Sequence, residues 1–113
     1  MTATYDFTAG QGETFDRTVT WTIDDVAVNL TGYTARLQIR KTHKSTSAVV
    51  SLTSSSGLTL GGSAGTIQIV ISATATAALT AGKYVYDLEL VSAGGVVTRV
   101  IEGAFELTPE VTR

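Results

Sequence analysis

The sequence predicts an all-β sandwich of about seven to nine antiparallel strands, with one short crossover helix near residues 73–80. Three observations lead there. Twenty of the 113 residues are threonine, which stands in for charge as the polar filler. Threonine is β-branched, stiff at χ1 and suited to a pleated, half-exposed surface. Short runs of apolar–polar alternation recur at spacings of about ten residues, separated by turn residues. Only one segment reads as helical, where an α/β fold needs several helices between its strands.

The elements follow in order. Residues 3–9 form a first strand with Tyr5 and Phe7 on one face, and Gly10-Gln11-Gly12 reverses the chain. Residues 14–23 read as one long strand, with Phe15, Val19, Trp21 and Ile23 on the core face. Arg17 interrupts that face near its start, its stem packed and its head in water. Asp24-Asp25 makes a turn into a return strand over residues 26–30. Tyr33, Ala35, Leu37 and Ile39 then alternate with Thr34, Arg36, Gln38 and Arg40, apolar inward and polar outward. A polar loop follows at 41–47. Short strands at 48–52 and 58–60 flank a Ser-Ser-Ser-Gly turn, and Gly61 to Gly65 form a tight loop. Ile67, Ile69 and Ile71 point inward from the next strand.

Ser72 caps the short helix and Gly82 terminates it. A strand from Lys83 to Val91 carries Tyr84, Tyr86, Leu88 and Leu90 on its core face. Ala93-Gly94-Gly95 closes a hairpin, and residues 96–107 form the last long strand. Gly103 within it marks a bulge or a close approach. Pro109 ends the strand, and residues 110–113 leave as a short tail of a single domain spanning 1–113.

The order helix, Gly82, Tyr84, Tyr86 resembles the tyrosine corner of immunoglobulin-like sandwiches. In those domains the tyrosine hydroxyl bonds back to the corner's backbone. Tyr86 stands where an antibody domain has its cysteine. The expected fold is therefore an immunoglobulin-like β-sandwich without a disulfide, as the chain contains no cysteine.

Composition narrows the function classes. A net charge of −2 lacks the basic footprint a general nucleic-acid binder uses to displace phosphate counterions. No thiolate metal site can form. No apolar run approaches the ~18 residues that span a bilayer, and the N-terminus lacks the basic and apolar regions of a signal peptide. A soluble chain made in the cytoplasm is expected.

Chemistry-bearing constellations are sparse. His43 is the one histidine, and it sits beside Lys41 and Lys44 in a polar loop. Metal binding would require several ligands at set spacings. No serine occupies a Gly-x-Ser-x-Gly elbow. Asp24-Asp25 supplies two adjacent acids where a calcium loop spaces its carboxylates; aspartate is a common turn former. Asp87 and Glu89 alternate with the core face of their strand and are expected to meet solvent or a partner. Gly61-Gly62-Ser63-Ala64-Gly65 lacks the Gly-Lys-Ser/Thr ending of a phosphate loop. Arg36, Arg40, Lys41, His43 and Lys44 form a modest basic cluster without interleaved aromatics. No catalytic residue, no metal ligand and no cofactor is expected.

Four stretches carry a family resemblance. They are Gln11-Gly12-Glu13-Thr14-Phe15, the run from Leu30-Thr31-Gly32-Tyr33 to Ile39-Arg40, the run from Ala81-Gly82-Lys83-Tyr84 to Glu89, and Arg99-Val100-Ile101-Glu102-Gly103. Together they span nearly the whole chain. The sequence resembles a family of small tailed-bacteriophage and prophage virion proteins, and is similar to the N-terminal domain of phage baseplate upper proteins. The resemblance implies a non-enzymatic virion structural protein, made in the bacterial host cytoplasm. It would be an adaptor docking on a symmetric assembly of the tail, baseplate or neck. A capsid decoration protein on the head is the alternative, and a carbohydrate- or receptor-binding module the second. Expected partners are other phage structural proteins in multiple copies, with no nucleic acid and no membrane insertion. On the adaptor reading, the contact residues are the outward row Arg36, Gln38 and Arg40, the loop residues Lys41, His43 and Lys44, and the tail residues Glu110 and Arg113.

Overall fold

The computed structural model describes residues 3–110. Its strands are β1 (Ala3–Thr4), β2 (Phe7–Gly10), β3 (Phe15–Thr20), β4 (Thr22–Ile23), β5 (Val26–Ala27), β6 (Thr34–Arg40), β7 (Val50–Thr53), β8 (Leu58–Leu60), β9 (Thr66–Ile71), β10 (Gly82–Val91) and β11 (Val97–Thr108), with helix α1 (Ala73–Ala77) between β9 and β10. One sheet runs β1-β11-β10-β6-β7, with β2 also on β11; the other runs β3-β9-β8; β4 and β5 pair apart as a hairpin. The third, sixth and ninth to eleventh strands fall into the two sheets as strands B, C, E, F and G of an immunoglobulin domain do. The fold is an immunoglobulin-like β-sandwich. The first two strands run parallel to β11, so the sandwich is not wholly antiparallel.

The core lies between the sheets. Ala35, Leu37 and Ile39 of β6, with Tyr84, Tyr86, Leu88 and Leu90 of β10, pack against Ile67, Ile69 and Ile71 of β9, and all are buried. Phe7 lies 5.3 Å from Phe15 and 5.2 Å from Tyr86 between ring centroids, and Phe15 lies 5.3 Å from Phe105. These tilted and edge-on rings link the two sheets where an antibody domain places its disulfide.

The corner forms as expected. Ser72 Oγ accepts from the Ala75 amide at 3.1 Å and starts α1. The Tyr84 hydroxyl donates to the Thr80 carbonyl. Gly82, however, opens β10, and the helix ends earlier, with Ala78 as its C-cap. Side chains take over the carbonyls past that point: Gln11 Nε2 donates to Leu79 O at 2.8 Å. The buried Thr76 hydroxyl donates to Glu13 O at 2.8 Å and accepts from the Gly12 amide at 3.1 Å, which ties the first turn to the helix. Tyr84→Phe is expected to lower stability by about 1 kcal/mol, since the Thr80 carbonyl loses its donor. A urea or thermal melt superimposable on the wild type would count against the corner bond.

Three strand boundaries differ from expectation. The strand predicted over 14–23 stops at Thr20, because the Trp21 amide donates to Gly65 O and the Trp21 carbonyl accepts from Val28. Its continuation turns into the β4–β5 hairpin, which leaves Ile23 56% exposed instead of core-facing. Gly65 permits that crossing: at φ +69°, an added Cβ would sit 2.9 Å from Trp21 O and 3.0 Å from Val28 O. The return strand over 26–30 shortens to β5, as Leu30 bonds to Gly62 O. The strand over 3–9 is interrupted at Tyr5-Asp6, where Asp6 Oδ1 accepts from the Ala104 amide in place of a ladder bond. The parallel register resumes unshifted, Ala3 opposite Ile101 and Phe7 opposite Phe105. Tyr5 stays exposed, not core-facing like Phe7, although their rings lie 4.9 Å apart.

Of the two readings of Gly103, the close approach holds. An added Cβ would lie 2.3 Å from Tyr5 O. The register shift on β10–β11 falls elsewhere, between Leu88 and Glu89: Leu88 pairs Ile101 and Glu89 pairs Arg99, leaving Val100 as the extra residue.

Candidate interaction surface

Antiparallel register builds a polar face on the outside of the larger sheet. Gln38 of β6 sits opposite Asp87 of β10, and Asp87 opposite Glu102 of β11; one rung along, Arg36 sits opposite Glu89, and Glu89 opposite Arg99. Arg99 and Glu102 are three apart, so a regular strand would send them to opposite faces. The bulge at Val100 corrects this. Val100 and Ile101 are both buried, and Arg99 Nη1 reaches Glu102 Oε1 at 3.2 Å on the outer side.

Charges alternate across the face. Arg36 Nε meets Glu89 Oε1 at 2.7 Å, and Arg99 Nε meets Asp87 Oδ2 at 3.4 Å. Arg40 donates from Nη2 to Gln38 Oε1 at 2.7 Å and from Nη1 to Ser45 O at 2.8 Å, which ties the 41–47 loop to the sheet. The basic cluster expected from the sequence is therefore corrected. Three arginines face three carboxylates here, because cross-strand pairing brings Asp87, Glu89 and Glu102 among them. The cations of that predicted cluster left outside this balance are in the loop: Lys41, whose Nζ lies 4.9 Å from the Tyr84 ring centroid, and the exposed Lys44. His43, also exposed, borders a concavity of about 290 Å³ lined with Arg40, Asp87, Arg99 and Glu102.

Glu110 lies apart from this face, beside the first turn. The Glu110 amide donates to Gln11 Oε1 at 3.2 Å, so the chain at 110 stays attached to the first turn instead of leaving the body. Arg113 lies outside the described residues. Alternation along β10 points Asp87 and Glu89 to solvent or a partner, whereas nothing in the sequence pattern places Arg99 and Glu102 on this face. Their common signal was the opposite-charge spacing on β10 and β11, which becomes readable only with the bulge in place.

Two groups on β10 titrate away from their ordinary values. Burial, then the neighbouring Asp6 and Tyr5, hold the Tyr86 hydroxyl far above 10.0; it donates to the Tyr5 carbonyl. Asp87 is raised above 3.8, first by burial and then by Glu89, with Arg99 acting in the opposite direction. A carboxyl raised on folding holds its proton more tightly in the folded chain. Its contribution to stability is full below about pH 3.8 and is lost as pH rises through the folded-state value. Asp87→Asn is accordingly expected to raise the melting temperature at pH 7 and to narrow the difference from wild type as pH falls to 3. A variant less stable than wild type at pH 7 would contradict this.

Among the described residues, no three His, Asp or Glu side chains converge as metal ligands, and no buried side-chain polar atom lacks a hydrogen-bond partner. The face offers held charges and amide groups for hydrogen bonding and ion pairing. Each exposed pair contributes only about 0.2–1 kcal/mol.

No family model and no curated protein sequence matches the chain. Among solved structures it is similar to CopC from Methylosinus trichosporium OB3b, at 11% identity over 99% of this chain and 88% of that one, with a TM-score of 0.46. It is also similar to extracellular domains 3–5 of Drosophila OTK, at 20% identity over 95% of this chain and 33% of that one, with a TM-score of 0.37. Likenesses this distant carry no statement about function.

Proposed function

We propose that this protein is a non-enzymatic structural component of a bacteriophage particle, an adaptor that docks on a symmetric assembly of the tail, baseplate or neck. The observation that carries the reading is the resemblance of four stretches to small phage and prophage virion proteins. Three of the four supply residues that hold the sandwich together. Gln11 and Gly12 bind the helix segment, Tyr84 closes the corner, and Gly103 admits the first strand. The run ending at Arg40 supplies the outward row Arg36, Gln38 and Arg40.

Its mechanism is association. Side chains already held by Arg36–Glu89 and Arg40–Gln38 contacts lose less freedom on docking than mobile ones. Many weak contacts repeated around a ring or shell raise the effective concentration and make attachment durable.

Reconstruction of the particle tests the reading. Density for the sandwich at the tail, baseplate or neck is expected. Density on the head shell would favour the decoration alternative, and absence from purified particles would overturn both. Replacing Arg36 and Arg40 together with alanine is expected to reduce incorporation severalfold while leaving a cooperative melt. Incorporation at the wild-type level would remove this row from the contact surface.

A further inference from the structure

We propose that copies of this chain associate end to end, the β4–β5 hairpin of one copy seated on the basic loop at residues 41–49 of the next. This goes beyond the phage reading and does not depend on it.

The hairpin has an unusual surface for a two-residue connection. Asp24 at φ +52° and Asp25 at φ +64° make a primed turn. Ile23 and Val26 pair directly across it, so both side chains stand on one face of the ribbon. They are 56% and 67% exposed, and Ile23 also borders a concavity of about 470 Å³ with Trp21, Val100 and Ile101. An apolar facet thus sits directly behind an acidic tip. The neighbouring connections at 28–33, 61–65 and 92–96 contain no lysine, arginine or carboxylate. Those three connections therefore bring no charge to balance the two aspartates at the hairpin tip.

The complementary surface lies at the other end. The hairpin sits near the start of β6, through the Trp21–Tyr33 ring contact at 6.3 Å between centroids. The loop begins where β6 ends, seven residues and roughly 20 Å of strand away. Lys41, His43 and Lys44 are exposed there, and residues 41–49 include no acid. Val49 adds an apolar patch at 41% exposure. The nearby Lys83 faces Glu106 across the β10–β11 ladder and is excluded from the count of available cations. The hairpin tip and the 41–49 loop therefore each pair charge of one sign with exposed aliphatic surface, and the signs are opposite; Glu13, Glu106 and Glu110 share the loop's end of the sandwich but lie outside the loop itself. A contact between unlike ends is heterologous: it closes into a ring or continues as a filament, according to the rotation per copy.

Sedimentation velocity on the whole chain tests this, at concentrations up to about 1 mM, where even a millimolar contact is visible. Wild type is expected to sediment faster as concentration rises, and to weaken at least tenfold on going to ~1 M salt, where screening acts within about 3 Å. Asp24→Asn with Asp25→Gly removes the charge and keeps the turn type. Lys41→Gln with Lys44→Glu alters the loop alone. Each variant is expected to be monomeric while keeping the wild-type circular dichroism spectrum. Mixed together they should form a one-to-one dimer and nothing longer, because only the intact hairpin of one and the intact loop of the other remain. Should the turn variant fail to fold, Ile23→Thr with Val26→Thr replaces it in the same mixing experiment. A monomeric wild type throughout, association indifferent to both variants, or no dimer on mixing would each overturn the proposal.

Discussion

Replacing Phe7 with alanine is expected to destabilise the domain by about 3–5 kcal/mol, the range for removing a buried aromatic ring from a core. Phe7 is buried and lies within 5.3 Å of three other rings, those of Tyr5, Phe15 and Tyr86. It belongs to β2 at the margin of the larger sheet, yet it meets Phe15 on the smaller one. Its loss opens a cavity across the sandwich, where no disulfide holds the sheets. A domain of this size has about 5–15 kcal/mol in total, so the variant should sit near the limit of folding at physiological temperature. Urea denaturation with an unchanged m-value reads the difference. A loss below about 1 kcal/mol would mean that the core collapses around the gap, and that the ring cluster is not what joins the layers.

Gly103→Ala is the second large effect, and its cause is backbone against backbone. The added Cβ would approach Tyr5 O to 2.3 Å, Asp6 Oδ1 to 2.7 Å and the Tyr5 carbonyl carbon to 2.9 Å. The Tyr5 stretch cannot retreat cheaply. Its amide donates to Glu102 O at 2.9 Å, its carbonyl accepts from the Tyr86 hydroxyl, and Asp6 accepts from the Ala104 amide. Overpacking alone costs about 1–3 kcal/mol, and each hydrogen bond displaced adds about 0.5–1.5 kcal/mol. Amide exchange should show the site of damage, with Tyr5 and Ala104 losing protection while the β6–β10 ladder keeps its own. Uniform exchange at the wild-type rate would rule out the tight approach.

The face of the larger sheet was partly legible before any coordinates. Strict alternation from Tyr33 to Arg40 placed Arg36, Gln38 and Arg40 outward, and β6 carries them there. Alternation also put Asp87 and Glu89 on the outer side of β10. It could not show that they lie among those arginines, because which strand neighbours which is set by non-local pairing. Arg99 and Glu102 were hidden by the extra residue at Val100, which switches the face of everything beyond it. The failure at Trp21 has the same origin. Period-2 spacing continues through Ile23, but the Trp21 backbone bonds to Gly65, far away in sequence, and to Val28 beyond the hairpin turn.

Local chemistry alone determined the strand content, the inward rows of β6, β9 and β10, the helix start at Ser72 and the Tyr84 corner. Side-chain period, capping and a four-residue hydroxyl reach are short-range properties that residue order encodes directly. The tertiary structure decided where strands break, which charges meet and which apolar side chains remain at the surface. Those outcomes depend on hydrogen bonds and packing between segments tens of residues apart, whose partners are chosen by the fold as a whole.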